Sequence, residues 1–482
     1  MLTEKQLWLD DSYEIESIWY PSFSVRKTLS TKKDIRHHGK LTYSPSNGAL
    51  LQLYHEDVSL NWFDNMIYGG EKDSSWHDKI TCLGISQHSG TNKSTIFRVG
   101  SVFRGFHFPD PKGSNILKFE FSIKHLNQWL EKTGFKFNRN IKRNSFTICY
   151  KGSSGRWLKL NDLFDFKIST SAWSPHEVKD YGKIETREHV VFQLRGRKDT
   201  PQKYSDFIRF MEPILDFFTL ASLDCANPFN IGATGDFGYI DGFDDQKIPA
   251  SASVSLSPIA ISNRWFEVKK YDFLFCEEDL EKSLQYYLKN WLKKYQLICT
   301  LFSLYKSAIY SEKSVEIKFL LLSQAVESYH RRFRDGYYLS EPEFQTFVLD
   351  PLYKAIPAQL ERNFRESLKN RLKYSNEYSL RKRIKDLINE NKNILERYFK
   401  VPKNLENKIA NARNYLTHFN EDNHGIKSSD LAFYITVLKK LFELSLLREI
   451  GFEQDKISEL TKNCESFRWL EYNAPWKLRY ER

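Results

Sequence analysis

The spacing of apolar residues along the chain changes near residue 280. Before that point, short runs rich in Val, Ile, Phe and Tyr are separated by turn-like segments such as "SPSNG" and "PDPKGSN". Runs of this length and composition are typical of β-strands. The sequence therefore predicts strands at 48–55, 118–123, 146–150 and 189–196.

Two segments of this first part have a helical spacing instead. They are residues 123–133 and 201–223, and in the second Phe207, Met211 and Phe218 fall on one helical face. Residues 230–245 are rich in Gly and Asp, which predicts a loop. The first part is thus expected to be a β-rich domain with packed helices.

After residue 278 the apolar residues follow a helical period. A long amphipathic helix is predicted from Leu280 to Ile309, and a second helix follows Ser314, a residue suited to cap it. Pro402 suits the first turn of a later helix. Further helical segments are predicted at 379–399, 401–419 and 428–452. The predicted fold class is an α+β multidomain protein, with a β-rich domain at 1–275 and an all-α bundle at 276–482.

Composition narrows the class of protein. The chain has 482 residues, of which 41% are hydrophobic, enough for packed cores in two domains. Its first residues lack the pattern of a secretory signal, and no apolar run approaches the about 20 residues of a membrane span. The six cysteines are scattered without a C-x-x-C pair, and the histidines between His37 and His125 in the first domain lack metal-ligand spacing. We therefore expect a cytoplasmic protein with no membrane association, no metal and no cofactor.

Positive charge is concentrated in the helical part. Residues 1–280 contain 36 Lys and Arg against 35 Asp and Glu, whereas residues 281–482 contain 36 against 26. A basic domain beside a neutral one indicates a polyanionic partner, above all nucleic acid. By charge alone, a basic helical domain without such a partner fits equally well.

The segment "RNYLTH", residues 413–418, combines polar side chains within a helical pattern. Asn414 and His418 are four residues apart and share a helix face, and Arg413 lies on the flank of that face. Imidazole can take or give a proton near neutral pH, and a guanidinium can bind phosphate oxygens. The pattern suits cleavage of RNA through the ribose 2′-OH. By spacing alone, a partly exposed histidine near a helix end, with the arginine solvated beside it, is the more common explanation.

The helical part resembles the HEPN superfamily of nucleases over residues 276–450. The similarity rests on "ARNYLTH", on the acidic residue in the helix "FLLLSQAVESYHRRF", and on the order of the helices. The first part resembles the N-terminal domain of ApeA-type proteins in "GKLTYSPSNGALLQLYH", "IYGGEKDSSWHDKITCLG", "FRVGSVFRGFHF" and "FEFSIKHLNQWL". The resemblance implies a single-protein bacterial anti-phage system.

The resemblance also implies roles for individual residues. Arg413 would bind and stabilise the scissile phosphate, His418 would act as general acid or base, and Asn414 would position it. Glu327 on the earlier helix would face the site, although a polar residue at the edge of a helix interface fits equally well. HEPN nucleases usually act as dimers with facing motifs, so a homodimer through the HEPN domain is expected.

Two basic segments would contact the RNA backbone, although they suit solvated helix faces equally well. The residues predicted to bind RNA are Arg331, Arg332, Arg334, Arg381, Lys382, Arg383 and Lys385.

The function predicted from these features is a metal-independent endoribonuclease, switched on by an unknown phage-derived trigger. Its substrate would be RNA of host or phage, including tRNA. One alternative is a non-catalytic HEPN protein that binds RNA or acts as a scaffold. Another is a ligand-binding sensor with dimerising helices, suggested by aromatic residues beside polar groups in "SSWHDK", "FRGFHF" and "GSSGRW".

Overall fold

The computed structural model divides the chain into two compact units, Met1–Lys289 and Asn290–Arg482. This division falls inside a helix, after the boundary at 275 expected from the sequence. The described residues are 12–20, 37–45, 47–54, 66–70, 79–91, 93–105, 107, 116–140, 142, 145–173, 187–241, 247–256, 268–418 and 427–479.

The first unit is built on antiparallel strands. The four strand predictions are confirmed by β3, β7, β9 and β12, except that residue 55 of the first lies outside the described residues. The described strands are β1 (Tyr13–Tyr20), β2 (His37–Ser44), β3 (Gly48–Tyr54), β4 (Met66–Gly69), β5 (Ile80–Thr91), β6 (Ser94–Arg104), β7 (Ile116–Ile123), β8 (Phe135–Asn140), β9 (Ser145–Tyr150), β10 (Leu158–Lys159), β11 (Phe164–Trp173), β12 (Arg187–Gly196), β13 (Pro228–Asp241) and β14 (Lys247–Leu256).

All of these strands except the β8–β9 hairpin belong to one sheet. Its order is β10-β11-β12-β7-β13-β14-β6-β3-β2-β1-β4-β5, and β5 also pairs with β6. Six strands therefore close on themselves around a core that includes Trp19, Leu51 and Phe97. Only glycine fits beside the buried Trp19 ring, because a Cβ at Gly69 would lie 2.7 Å from it.

Two helices of the first unit pack near this sheet. The predicted helix at 123–133 is shorter than expected, and α1 spans Leu126–Leu130. Both flanking residues, His125 and Glu131, have left-handed backbones with φ of 65° and 51°, which end a helix. The second helix, α2 (Tyr204–Ser222), agrees with the predicted segment at 201–223.

The prediction of a loop at 230–245 is wrong for residues 230–241, and residues 242–245 lie outside the described residues. Residues 228–241 form strand β13, which pairs with β7 on one edge and with β14 on the other. Distant strands supply hydrogen-bond partners that a local reading of Gly and Asp does not reveal. Tertiary pairing here overrides local turn propensity.

The second unit is helical, as predicted. Its helices are α3 (Leu284–Ile309), which begins in the first unit, α4 (Val315–Phe333), α5 (Glu341–Phe344), α6 (Asp350–Ala355), α7 (Arg362–Lys373), α8 (Leu380–Glu390), α9 (Lys392–Leu395), α10 (Leu405–His418), α11 (Ser428–Ile450), α12 (Gln454–Asn463) and α13 (Glu465–Asn473). The Ser314 hydroxyl caps α4 by accepting a hydrogen bond from the Ile317 amide. Pro402 lies in the turn before α10 and not in its first turn. None of the described helices has the length and apolar character needed to cross a bilayer.

Helix α11 carries a buried polar network in the helical unit. Glu443 is fully buried, and it accepts hydrogen bonds from the Tyr305 hydroxyl at 2.7 Å and from the Lys440 ammonium at 2.7 Å. Burial by itself raises the pKa of Glu443, but the neighbouring Lys440 and Lys439 outweigh it and hold the pKa below its ordinary value. Lys440 also donates to Ser466 on α13. The network therefore joins α3, α11 and α13.

Candidate active site

Helix α10 carries the predicted catalytic motif and is anchored by its apolar face. Leu405, Ile409 and Ala412 are buried, and the helix packs against α4 and α8. The motif residues lie away from this face, with Arg413 half-buried and Asn414 exposed. His418 is the last residue of α10, and its side chain lies outside the described part of the structure.

The first two motif residues contact each other. The Arg413 Nη1 atom donates to the Asn414 Oδ1 atom at 3.4 Å. The Thr417 hydroxyl donates to the carbonyls of Arg413 and Asn414, at 2.9 and 3.1 Å, which satisfies acceptors in the last turn. The partner of Arg413 is a neutral amide, so its positive charge is not neutralised by this contact.

Glu327 and Arg331, by contrast, are paired with each other on α4. Arg331 Nη2 lies 3.1 Å from Glu327 Oε1, and Arg331 also forms an ion pair with Glu377. Partial burial lowers the pKa of Arg331, but the two carboxylates outweigh it and raise the pKa above its ordinary value. Glu327 thus has a cationic partner on its own helix, one turn away.

Arg334 also binds two carboxylates, those of Glu390 and Glu449. Its guanidinium binds both carboxylate oxygens of Glu390, at 2.9 and 3.3 Å, and lies 3.3 Å from Glu449 Oε1. The hydrogen bonds that Arg334 donates to Glu390 are the main reason that the pKa of Arg334 is raised. Glu449 also accepts from Tyr329 and Lys294, so Arg334 belongs to a network that joins α4, α8, α11 and α3.

The prediction that Arg383 contacts RNA needs correction. Its side chain is 1% exposed and donates to the Tyr378 carbonyl at 2.9 Å and to His330 Nδ1 at 3.3 Å. It lies against Gly336, where a Cβ would come within 2.6 Å of its Nη1 atom. Burial, followed by repulsion from Arg331, lowers its pKa. A guanidinium buried in this way holds the fold together and is not available to solvent.

The remaining residues predicted to bind RNA differ in the partners of their charged groups. Lys382 pairs with Asp386 at 2.7 Å, and Arg332 is exposed and donates to the Leu297 carbonyl. Lys385 is exposed, and no carboxylate in the described ranges lies within ion-pair distance of it. Arg381 Nη1 donates to Asn407 Oδ1 on α10 at 3.2 Å. The structure therefore brings Arg381 to the motif helix and holds Arg331 and Arg334 in ion pairs.

Asn407 was not among the residues singled out from the sequence. It lies two helical turns before Asn414, a spacing that places both amides on one face of α10. The recurrence of Asn at 407, 411 and 414 is the signal that could have drawn attention to it. The described residues contain no group of three or more His, Cys, Asp or Glu side chains suited to hold a metal ion.

The segments proposed for a sugar or nucleotide site are occupied by packing where they are described. In "FRGFHF", Phe103 is buried, and the buried His107 Nε2 lies 2.8 Å from the Gly69 carbonyl. In "GSSGRW", the Trp157 ring is covered by Arg195 and Lys167 at 4.1 and 4.8 Å from its centroid. Most of "SSWHDK" lies outside the described residues.

Two family models match the chain, one for each part. The model for ApeA N-terminal domain 1 matches residues 15–291, and the model described as Apea-like HEPN matches residues 320–456. No curated protein and no solved structure gives a significant match. The first family match covers more than half of the chain, and the second contains the α10 motif. The chain therefore belongs to the ApeA-type family of anti-phage HEPN proteins, with the ApeA N-terminal domain in its β-rich part and the HEPN domain in its helical part.

Proposed function

We propose that the HEPN domain is a metal-independent endoribonuclease whose reacting groups are Arg413, Asn414 and His418. HEPN domains are generally nucleases, and the Apea-like HEPN match includes all three residues. The observation that carries the proposal is the contact of Arg413 with the neutral amide of Asn414 on α10. This contact leaves the arginine charge free to bind a phosphate.

The chemistry follows from the residue types. The ribose 2′-oxygen attacks the adjacent phosphorus while His418 removes its proton, and Arg413 stabilises the negative charge that builds up on the phosphate. The bond from phosphorus to the 5′-oxygen breaks, and an imidazolium supplies the proton that this oxygen needs. The products are a 2′,3′-cyclic phosphate and a 5′-hydroxyl. Asn414 would orient the histidine or the phosphate.

The two proton transfers give a reason for a homodimer. Each motif supplies one histidine, whereas base and acid catalysis are both required. A two-fold dimer through the HEPN domain would bring two copies of His418 to one cleft. The subunits would have to associate through apolar helix faces, because residues 281–482 carry an excess of positive charge.

The biological role that we infer is that of a toxin in abortive infection. A phage-derived trigger would release the nuclease in the cytoplasm, and the N-terminal domain would sense the trigger or restrain the HEPN domain. The substrate would be host or phage RNA, including tRNA.

The test is cleavage of host and phage RNA by purified protein to which an extract of phage-infected cells is added as the source of the trigger, followed by sequencing of the RNA ends. Wild-type protein should cut in excess EDTA and should fail on RNA with a 2′-deoxy residue at the cut site. His418→Ala, with an unchanged melting temperature (Tm), should not cut. RNA binding without cleavage by the triggered wild type would favour the scaffolding alternative. Dependence of the chemical step on a divalent cation would refute the 2′-OH mechanism.

A further inference from the structure

One face of α10 is lined by asparagine side chains that end at His418. Asn407, Asn411, Asn414 and His418 are separated by four, three and four residues. At about 100° per residue, the four positions span about 60° of arc on one face of the helix. Asn411 and Asn414 are exposed, and Asn407 is half-buried beside α8.

This face is unusual for a solvated helix. Asn is a poorer helix former than Ala, Lys or Glu. An exposed helix face made of those residues would be more stable than one made of Asn. The asparagines do not build the core, because the apolar anchors of α10 are Leu405, Ile409 and Ala412 on other faces. A role in binding accounts for amides at these positions, since helix stability does not favour them.

Two of these amides each accept a hydrogen bond from an arginine. Asn414 Oδ1 accepts from Arg413 at 3.4 Å, and Asn407 Oδ1 accepts from Arg381 at 3.2 Å. A guanidinium has five N–H donors, so such a contact orients it and leaves other donors for a ligand. Unlike the carboxylates that bind Arg331 and Arg334, an amide does not cancel the charge. The arrangement orients two positive charges along α10 without neutralising them.

Helix α8 carries a third positive charge, Lys385, near Arg381. Lys385 is four residues after Arg381, so the two share a helix face, and both are exposed. Residues 407 to 418 span roughly 16 Å along the helix axis at 1.5 Å per residue, room for several stacked nucleotides. Positive groups thus flank a polar, uncharged stripe that leads to His418.

We propose that Asn407 and Asn411, with Arg381 and Lys385, bind the single-stranded RNA next to the scissile phosphate and align it with His418. This set is named the asparagine track, and the proposal rests on the proposed RNA cleavage. The cations would contact phosphates, and the amides, which both donate and accept, would bind bases or ribose hydroxyls. Direct packing of this stripe against the same stripe of a second copy fits less well, because two such positive faces would repel each other.

The experiment measures RNA binding in the full-length His418→Ala protein, which removes cleavage from the readout. A short fluorescein-labelled single-stranded RNA of mixed sequence is titrated with protein at several salt concentrations, and fluorescence anisotropy gives the Kd. Asn407→Ala with Asn411→Ala should raise the Kd about tenfold, the effect of losing two hydrogen bonds. Asn411→Ala by itself should raise the Tm slightly, because the position is exposed and Ala is the better helix former, whereas Asn407→Ala also removes the acceptor of Arg381. Asn463→Ala, on the exposed end of α12, is the matched control and should leave the Kd unchanged.

Charge variants separate the two kinds of contact. Arg381→Ala should lower the slope of log K against log salt by about 0.7, whereas the double Asn variant should leave the slope unchanged. Asn407→Asp keeps the side-chain shape but adds a carboxylate beside Arg381, so it should weaken binding more than Asn407→Ala.

The outcomes distinguish this proposal from the proposed function. An unchanged Kd in the double Asn variant, with RNA bound by the parent, would overturn the asparagine track alone. A changed oligomeric state by light scattering with an unchanged Kd would identify the stripe as a subunit contact and would also overturn it. Failure of the parent protein to bind RNA at low salt would overturn the RNA substrate, and the track with it.

Discussion

The helical unit contains two groups of arginines with opposite environments. Arg331 on α4 and Arg334, directly after α4, bind carboxylates, whereas Arg381 and Arg413 donate to asparagine amides on α10. In the first group the partners neutralise the charge and tie helices together. In the second group no carboxylate of the described residues forms an ion pair with the arginine, so the charge remains available to a ligand. Residues of one type in one basic domain can therefore be structural or ligand-binding, and the partner decides which.

The largest effect is expected when Arg413, whose partner is an amide, is removed. Arg413→Ala should lower RNA cleavage by about 10²–10³-fold, because one group that stabilises transition-state charge is lost. The Tm should hardly change, since the hydrogen-bond partner of the Arg413 side chain within the described ranges is a neutral amide. Arg413→Lys keeps the charge without the planar fork and should recover only part of the rate. A parallel loss of Tm and activity would place Arg413 in the structural group.

The second test removes a paired arginine. Arg334→Ala leaves Glu390 without its bidentate partner and weakens the network around Glu449, so the unfolding free energy should fall by about 3 kcal/mol. Urea denaturation measures this change. The control is Arg332→Ala, which removes an exposed arginine bound to a carbonyl and should cost about 0.5 kcal/mol or less. Equal effects of the two variants would contradict the division into groups.

A smaller effect is expected from two lysines on α8. Lys385→Ala should weaken RNA binding several-fold and lower the salt slope by about 0.7, whereas Lys382→Ala, which removes a partner of Asp386, should do neither. Both variants are made in the His418→Ala protein and compared by anisotropy. Equal losses would show that pairing with Asp386 does not withdraw Lys382 from RNA.

The smallest expected effect is on the pH dependence of stability, through the buried His330 next to Arg383. Burial, and then the charge of Arg383, lowers the pKa of His330 below its ordinary value of 6.5. Its native form is therefore neutral, and the stability that this contributes is full above about pH 6.5 and is lost as pH falls through the lowered folded pKa. Each proton taken up on unfolding gives a slope of at most about 1.4 kcal/mol per pH unit.

Substitution of the histidine isolates this contribution. His330→Asn keeps an acceptor for Arg383 but does not titrate, so its unfolding free energy should fall less than that of wild type between about pH 7 and pH 5.5. Chemical denaturation at each pH provides the comparison. Identical pH profiles would show that His330 does not sense this range.

Much of the secondary structure could be predicted from the sequence because local pattern encodes it. The alternation in β3, the long helical period of α3 and the Ser314 cap each depend on residues close together in the chain. Strand β13 could not be predicted, because its partners β7 and β14 flank it only in the folded sheet. The same distinction holds for the candidate site. The motif residues 413–418 follow one another in the sequence and could be recognised there, whereas the contact of Arg381 with Asn407 forms only in the folded protein.

The sequence by itself determined the β-rich and helical parts, the basic charge of the second part and the helix position of Arg413, Asn414 and His418. These properties follow from composition and from the helical repeat, which need no distant contact. Only the tertiary structure decided that Arg383 is buried, that Arg334 binds Glu390 and Glu449, and that Arg381 binds Asn407. Those partners come from other helices, and a charge becomes neutralised or remains free only when folding brings its partner within a few ångströms.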